Sequence, residues 1–497
     1  MFFSLISSTV VTILCGTTHA FHDTRPSFID SQSVYFVSEI ANLPDDYKQA
    51  QKQGVLALSN NTQFTSPTES SNGNPSLASS IQIETMTAGM SYLYSNTENQ
   101  AFSVNITLNA KDYPVLLDTG SPYLWLYSSN CTDNSCKGKE LFNAEQADQL
   151  NGTFALSYDS GIASGFIYDD SIIIAGFETQ NFEFGVADHV PDLFQHYGFS
   201  GVLGLPADNA SITGLVNAVS FLSENGDIDS SKFTICMGEY DSDEMNDGLL
   251  FMGSTMDTLH SGEIYTSPII EEAVSHWEFK IDAVYVDDFQ MSFDTLEIND
   301  EHTNTSRIGL LDSGTTSLIL SVKDANTLHS FFRQSITDGE NYAILCNETL
   351  QFDLEISNKN WSLTPDMYIG TRYPVSSDLE GYCISNIQGI DSNADGAWIL
   401  GILFMENKYV EFDYENQWIG LAERNNNIKF VNPPKNDNAT ATTSAIITST
   451  TLATSSISLT SNTVTSTSIT SKNAGTRVYG SNMLYVMLSI LCAINLN

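Results

Sequence analysis

Two short stretches of the chain carry residues that could do chemistry. In "LLDTGSPYLWL", Leu116 to Leu126, an apolar run leads into Asp118, which is followed at once by Thr119, Gly120 and Ser121. In "IGLLDSGTTSLIL", Ile308 to Leu320, the same order returns as Asp312, Ser313, Gly314 and Thr315. A carboxylate at the end of a buried strand is costly to desolvate unless it has partners or a use. One such turn alone is most simply an aspartate capping its own loop. Two of them, built alike, point to a pair acting together. Carboxylates held about 3 Å apart cannot both ionise, so one keeps a proton at mildly acidic pH. Such a pair can take a proton from water and give one to a carbonyl oxygen or leaving amine, which is what peptide hydrolysis requires. The proton belongs to the pair, so base and acid are assigned to neither aspartate. The glycines let the backbone come close. The hydroxyls of Thr119, Ser121, Ser313 and Thr315 are suited to hold the carboxylates coplanar and to fill their outer lone pairs.

A second repeated pattern lies downstream of each aspartate. "GVLGLP", Gly201 to Pro206, and "WILGIL", Trp398 to Leu403, are matched apolar runs broken by glycine. Gly204 follows Asp118 by 86 residues and Gly401 follows Asp312 by 89. Two duplicated lobes, each bringing one aspartate to a shared seam, account for both repeats. Between about Met86 and Ala422 short runs such as "FSVNITL", "SIIIAGFE" and "YVEFDY" alternate with Gly, Asn and Asp turns, as expected of a mostly-β body. The best helical pattern is Ser321 to Ile336.

The 497 residues include only 19 basic against 60 acidic ones, a formal net charge of -41. That balance argues against nucleic acid or an anionic membrane as partner and fits a cationic partner or an acidic medium. It equally fits plain solubility at a cell surface. Met1 to Ala20 reads as a signal peptide, although its first residues contain no Lys or Arg. Residues 21–85 are polar and read as a pro-segment and linker. The lobes are expected at 86–262 and 263–432, a Ser/Thr-rich, O-glycosylated stalk at 433–473, and a tail at 474–497. In that tail Met483 to Ile494 is too short to span a bilayer. With Asn473 at a small-residue site and a polar spacer before it, the tail has the form of a GPI-attachment signal that is removed; an uncleaved anchor is the rival reading.

Of seven cysteines, Cys15 and Cys492 fall in the two end segments. Cys131 and Cys136 are near enough to staple a small loop, Cys346 and Cys383 could close a longer one, and Cys236 is expected as a buried free thiol. Nine N-x-S/T sequons, at Asn60, Asn105, Asn130, Asn151, Asn209, Asn304, Asn347, Asn360 and Asn438, agree with a secretory route. "DSNADG", Asp391 to Gly396, starts like a calcium loop, but Ile402 stands where the closing Glu is needed. There is no H-E-x-x-H pair, no G-x-S-x-G elbow and no phosphate-binding loop, so no metal and no cofactor is expected.

On these residues, Met86 to Glu423 resembles the pepsin-like aspartic proteases, and the stalk and tail are similar to those of the GPI-anchored fungal yapsins among them. The resemblance implies a bilobal mostly-β fold with the site at the seam, Asp118 and Asp312 as catalytic residues, and a single chain as the working unit. It makes "LSYDSGIASG", Leu156 to Gly165, a hairpin flap over the substrate, with Tyr158, Asp159, Ser160 and Gly161 at its tip and the Tyr158 hydroxyl directed toward Trp125. It matches Cys131–Cys136 and Cys346–Cys383 to family disulfides. Four positions depart from the family pattern. Asp159 stands where glycine is common, Ile402 where many relatives carry Asp, Pro122 where Ser is usual, and no Lys-Arg pair lies in the pro-segment. The expected function is a zymogen-derived endopeptidase at the outer face of the plasma membrane or in the cell wall. It would cut polypeptides at acidic pH near basic residues. The alternative is an inactive surface mannoprotein that keeps the fold as a binding module.

Overall fold

The strand that delivers the first aspartate, Lys111–Asp118, becomes progressively more buried toward its end. It runs parallel to Gly201–Gly204, with Gly204 opposite Asp118, and Gly201–Gly204 runs antiparallel to Trp125–Tyr127. The second aspartate is delivered the same way. Arg307–Leu311 runs parallel to Trp398–Leu400, with Leu311 opposite Leu400, and Trp398–Leu400 runs antiparallel to Leu318–Leu320. The repeated sequence patterns are therefore one repeated three-strand motif. The glycine that ends the first downstream strand and the one just past the second are needed for close approach: a Cβ at Gly204 would lie 2.4 Å from the Tyr123 nitrogen, and one at Gly401 would lie 2.4 Å from the Thr315 oxygen. Only glycine lets the loop behind each aspartate settle on the neighbouring strand.

The computed structural model describes residues 88–95, 101–158, 161–207, 215–238, 248–270, 276–298, 301–375, 377–391, 397–426 and 428–430, with two short strands, Tyr35–Phe36 and Ile81–Ile83. All belong to the unit Met1–Pro434; the unit Lys435–Asn497, with the expected stalk, Asn438, Asn473 and the tail, lies outside the described residues. So do the signal peptide, most of the pro-segment, Asn60, Asn209, Asp159 and Ser160. The architecture is mostly β. The first lobe is an eight-stranded sheet from Tyr94–Ser95 to Asp148–Tyr158. The second carries a five-stranded sheet around Arg307–Leu311 and a four-stranded sheet around Phe352–Ile356.

A six-stranded sheet belongs to both lobes. It joins Met90–Tyr92, Gly248–Met252 and Lys232–Met237 to Lys408–Asp413, Trp418–Arg424 and His260–Pro268. The expected division at 262/263 falls inside the strand His260–Pro268, because backbone groups there are satisfied by pairing with the end of the second lobe. Two pieces of the 21–85 segment also pair: Tyr35–Phe36 with Ser335–Thr337, and Ile81–Ile83 with Ile428–Phe430. The helix expected over Ser321 to Ile336 is only Val322–His329. Ser321 caps it by accepting from the Asp324 amide, and the chain beyond turns so that Phe331 and Phe332 enter the core and Ser335–Thr337 becomes a strand.

Behind the second aspartate sits a buried ion pair. Arg307, 3% exposed, donates through Nε to Asp324 Oδ2 at 2.6 Å and through Nη2 to Oδ1 at 3.0 Å. Trp398 donates Nε1–H to Asp324 Oδ2 at 2.9 Å. One carboxylate thus ties the two strands that frame Asp312 to the helix beneath them. Removing one partner of a buried pair strands the other charge, so Asp324→Asn is expected to cost about 3–5 kcal/mol. Thermal unfolding at neutral pH measures it, and an unchanged midpoint would remove this pair from the support of the site.

Candidate active site

Each aspartate is held by the turn that follows it. Asp118 Oδ1 accepts from the amides of Gly120 at 2.9 Å and Ser121 at 3.1 Å, and Oδ2 accepts from Ser121 Oγ at 2.5 Å. Asp312 Oδ1 accepts from the Gly314 amide at 2.8 Å, and Oδ2 from Thr315 Oγ1 at 2.6 Å. The carboxylates face one another across the seam. A Cβ at Gly120 would lie 2.9 Å from Asp312 Oδ1, and one at Gly314 would lie 2.5 Å from Asp118 Oδ1. Glycine in each turn makes room for the opposite aspartate, a sharper requirement than general closeness of backbone.

Thr119 and Ser313 do something other than the sequence suggests. Neither touches a carboxylate. Thr119 Oγ1 donates to the Leu311 carbonyl at 2.9 Å and accepts from the Ser313 amide at 2.9 Å. Ser313 Oγ donates to the Leu117 carbonyl at 2.8 Å and accepts from the Thr119 amide at 3.1 Å. Each hydroxyl therefore grips the backbone on both sides of the other lobe's aspartate. The four expected hydroxyls divide into two that hold carboxylates and two that lock the lobes, because the side chain directly after each aspartate points across the seam.

Burial decides the protonation. Asp118 is 6% exposed. Its carboxyl is pushed up from 3.8 to about 7, first by loss of water and then by the neighbouring Asp312, against the lowering effect of the Ser121 and Gly120 donors. The pair consequently retains a proton through the mildly acidic range. Above the dyad, Asp148–Tyr158 and Gly161–Ile174 form an antiparallel hairpin, with Tyr158 opposite Gly161. Tyr158 Oη accepts from Trp125 Nε1 at 2.8 Å and lies 3.4 Å from Ser121 Oγ, so this hairpin tyrosine is linked to Asp118 through one hydroxyl. Ile402 is buried and brings no charge beside the dyad; its amide donates to the Thr315 carbonyl at 2.8 Å. Among the described residues no group of three or more His, Cys, Asp or Glu is arranged to hold a metal.

Residues 100–424 match the eukaryotic aspartyl protease family. The chain belongs to that family, and it is an aspartic endopeptidase. It is 29% identical over 313 residues to a probable aspartic-type endopeptidase of Arthroderma otae, covering 62% of this chain and 78% of the relative. It is 28% identical over 344 residues to an aspartic-type endopeptidase of Aspergillus fumigatus, covering 68% of this chain and 66% of that one. With cathepsin D of Dictyostelium discoideum it shares 27% identity over 354 residues, 69% of this chain and 88% of the relative.

The disulfides are Cys131–Cys136 and Cys346–Cys383, and Cys236 is a buried free thiol whose burial pushes it up to about 11. The six sequon asparagines that are described, Asn105, Asn130, Asn151, Asn304, Asn347 and Asn360, are all exposed. Sequence reasoning missed the segment 190–199. Phe194 packs edge-on against Tyr158 and Trp125, with centroids 5.1 and 5.6 Å away. Its aromatics, Phe194, Tyr197 and Phe199, follow neither a helical nor a strand period, so their spacing does not announce a role.

Two outcomes are expected. Because Asp118 is raised, the folded protein keeps a proton that the unfolded chain releases between pH 3.8 and about 7. The resulting penalty is absent below that window and grows through it. Asp118→Asn should therefore stabilise the protein at pH 7.5, by at most ~4 kcal/mol, and change little at pH 4; scanning calorimetry at both pH values is the check. Thr119→Val removes a buried donor and acceptor together. It should cost about 1–3 kcal/mol while Ser121 and Thr315 still hold their carboxylates, and a stability equal to the parent's would deny the lobe-locking role.

Proposed function

We propose that this endopeptidase works outside the cell at mildly acidic pH, tethered as the GPI-anchored yapsins are, and cuts surface or cell-wall polypeptides with a preference for basic residues near the scissile bond. The observation that carries the reading is the dyad with its retained proton beneath a hairpin. A water between the carboxylates loses its proton to the ionised one as it attacks the peptide carbonyl, while the protonated one supports the developing oxyanion and then supplies the amine's proton. The flap excludes bulk water and grips the substrate backbone. Since the pair must carry one proton, activity falls as pH rises through about 7. The basic preference is supported by the net charge of -41 and by Asp159 next to the flap tyrosine. The location is supported by the apolar first segment, the Ser/Thr stretch after residue 433 and the short tail after Asn473.

The test uses the body ending near Pro434, freed of its pro-segment, on a peptide library from pH 3 to 7, with and without a statin-type transition-state analogue. Inhibitor-sensitive cleavage that drops by ~10³-fold or more in Asp118→Asn, and that favours Lys- or Arg-containing sites, is the expected result. A folded protein silent throughout would favour the binding-module reading, and cleavage indifferent to Lys and Arg would remove the basic preference alone. Phospholipase release of the full chain from cells is expected for the anchor; retention would overturn it.

A further inference from the structure

Trp277 ties the backbones of the two aspartates together from behind the seam. Its indole is fully buried and donates Nε1–H to the Leu205 carbonyl of the first lobe at 2.8 Å. Leu205 directly follows the strand Gly201–Gly204, and its amide donates to the Asp118 carbonyl at 2.9 Å. On its other side, Trp277 directly precedes the strand Glu278–Ile281, and its own carbonyl accepts from the Leu311 amide at 3.2 Å. Leu311 is the residue before Asp312, and its carbonyl accepts from Thr119 Oγ1 at 2.9 Å. Thr119 is covalently joined to Asp118, so the series of contacts returns to its start.

Four hydrogen bonds thus close a ring through Asp118, Leu205, Trp277, Leu311 and Thr119. The ring crosses between the lobes twice, once at the Thr119 hydroxyl and once at the Trp277 indole. The exchanged hydroxyls of Thr119 and Ser313 hold the lobes at one place, which by itself leaves rotation about that place open. A second tie removes that rotation. The indole can serve as a fixed point because it packs edge-on against Phe412, Tyr414 and Phe233, with centroids 4.9, 5.0 and 5.8 Å away. Phe233 and Phe412 belong to the six-stranded sheet that both lobes share. A buried indole N–H and a buried carbonyl each need a partner, so each fixes where the other must lie.

We propose that Trp277 is a positioning residue for the dyad: by holding the Leu205 carbonyl across the seam, its indole N–H closes the ring that fixes the Asp118 backbone against the peptide preceding Asp312. The inference needs the proteolytic activity but neither the location nor the cleavage preference proposed above. It also gives the shared sheet a task in catalysis, since that sheet carries two of the rings that hold the indole. Misplacement of reacting groups by about 1 Å can cost a hundredfold in rate.

The experiment measures kcat and KM separately on one cleaved peptide, well below each variant's unfolding temperature. Trp277→Phe keeps an aromatic ring and removes the donor; its kcat should fall by ~10-fold or more, with KM nearly unchanged. Trp277→His gives up more ring but can place Nε2–H where the indole donor lies, and should recover most of the lost kcat. A folded Trp277→Phe protein with the parent kcat overturns the proposal. So does a Trp277→His protein that loses as much as Trp277→Phe, because packing alone would then account for the effect. Should Trp277→Phe not fold, Phe412→Leu loosens the indole without removing any member of the ring and is held to the same split between kcat and KM. If the parent cleaves no peptide at all, the proteolytic activity fails first, and stability then decides the ring. The gain from Asp118→Asn at pH 7.5 should shrink in a Trp277→Phe background, since a loosened ring lets the carboxylates part; an undiminished gain overturns the positioning role.

Discussion

Everything in the site depends on two buried hydroxyls exchanged across the seam. Thr119 and Ser313 each bind both peptide units that flank the other lobe's aspartate, donating to the carbonyl before it and accepting from the amide after it. All four bonds are sheltered, so their loss would not be made good by water. The consequence is geometric. Two carboxylates carried by separate sheets repel each other when ionised, and nothing in either sheet alone would keep them together. The interlock fixes their separation through rigid backbone, while the turns aim each carboxylate with its own glycine amide and hydroxyl.

The rest of the molecule supplies reinforcement at increasing distance. Arg307, Asp324 and Trp398 brace the strands behind the second aspartate. The six-stranded sheet joins strands from the beginning and the end of the body. Protonation works in opposite senses in two places. Asp118 is easier to fold when protonated, so its cost appears as pH rises toward 7. His329 is buried neutral and lowered to about 3, donating from Nδ1 to the Ala325 carbonyl and, being neutral, accepting at Nε2 from Ser385 Oγ, and it is stacked 3.7 Å from Tyr342. Its stabilisation is complete above its ordinary value near 6.5 and is lost as pH falls toward 3. The fold therefore gives up stability for a closely paired, buried dyad at neutral pH and for a packed second lobe at strongly acidic pH.

The reading from sequence was strongest where one residue type can do one job. Aspartate behind an apolar run, followed by glycine and a hydroxyl, has few uses when it occurs twice, and the paired downstream glycines marked the neighbouring strand in each lobe. The Tyr158–Trp125 contact followed from a family likeness resting on local motifs. It was weakest where a residue's role depends on what comes to meet it. Thr119 and Ser121 look interchangeable in "DTGS", yet one faces the other lobe and the other its own aspartate. Ser321 to Ile336 keeps a helical rhythm throughout, but tertiary burial of Phe331 and Phe332 ends the helix at His329.

The sequence by itself determined the local pattern: which two carboxylates are built alike as a candidate pair, that they sit in duplicated β lobes, and which cysteines lie close enough to bridge. Those facts are written in residue type and short spacing, which the chain carries locally. Only the tertiary structure decided how far Asp118 is desolvated, which hydroxyls lock the lobes, where one lobe ends in a sheet shared by both, and that the Trp277 indole reaches Leu205. Each of these comes from groups 72 to 196 residues apart meeting in a space that excludes water, and local sequence contains no record of such a meeting.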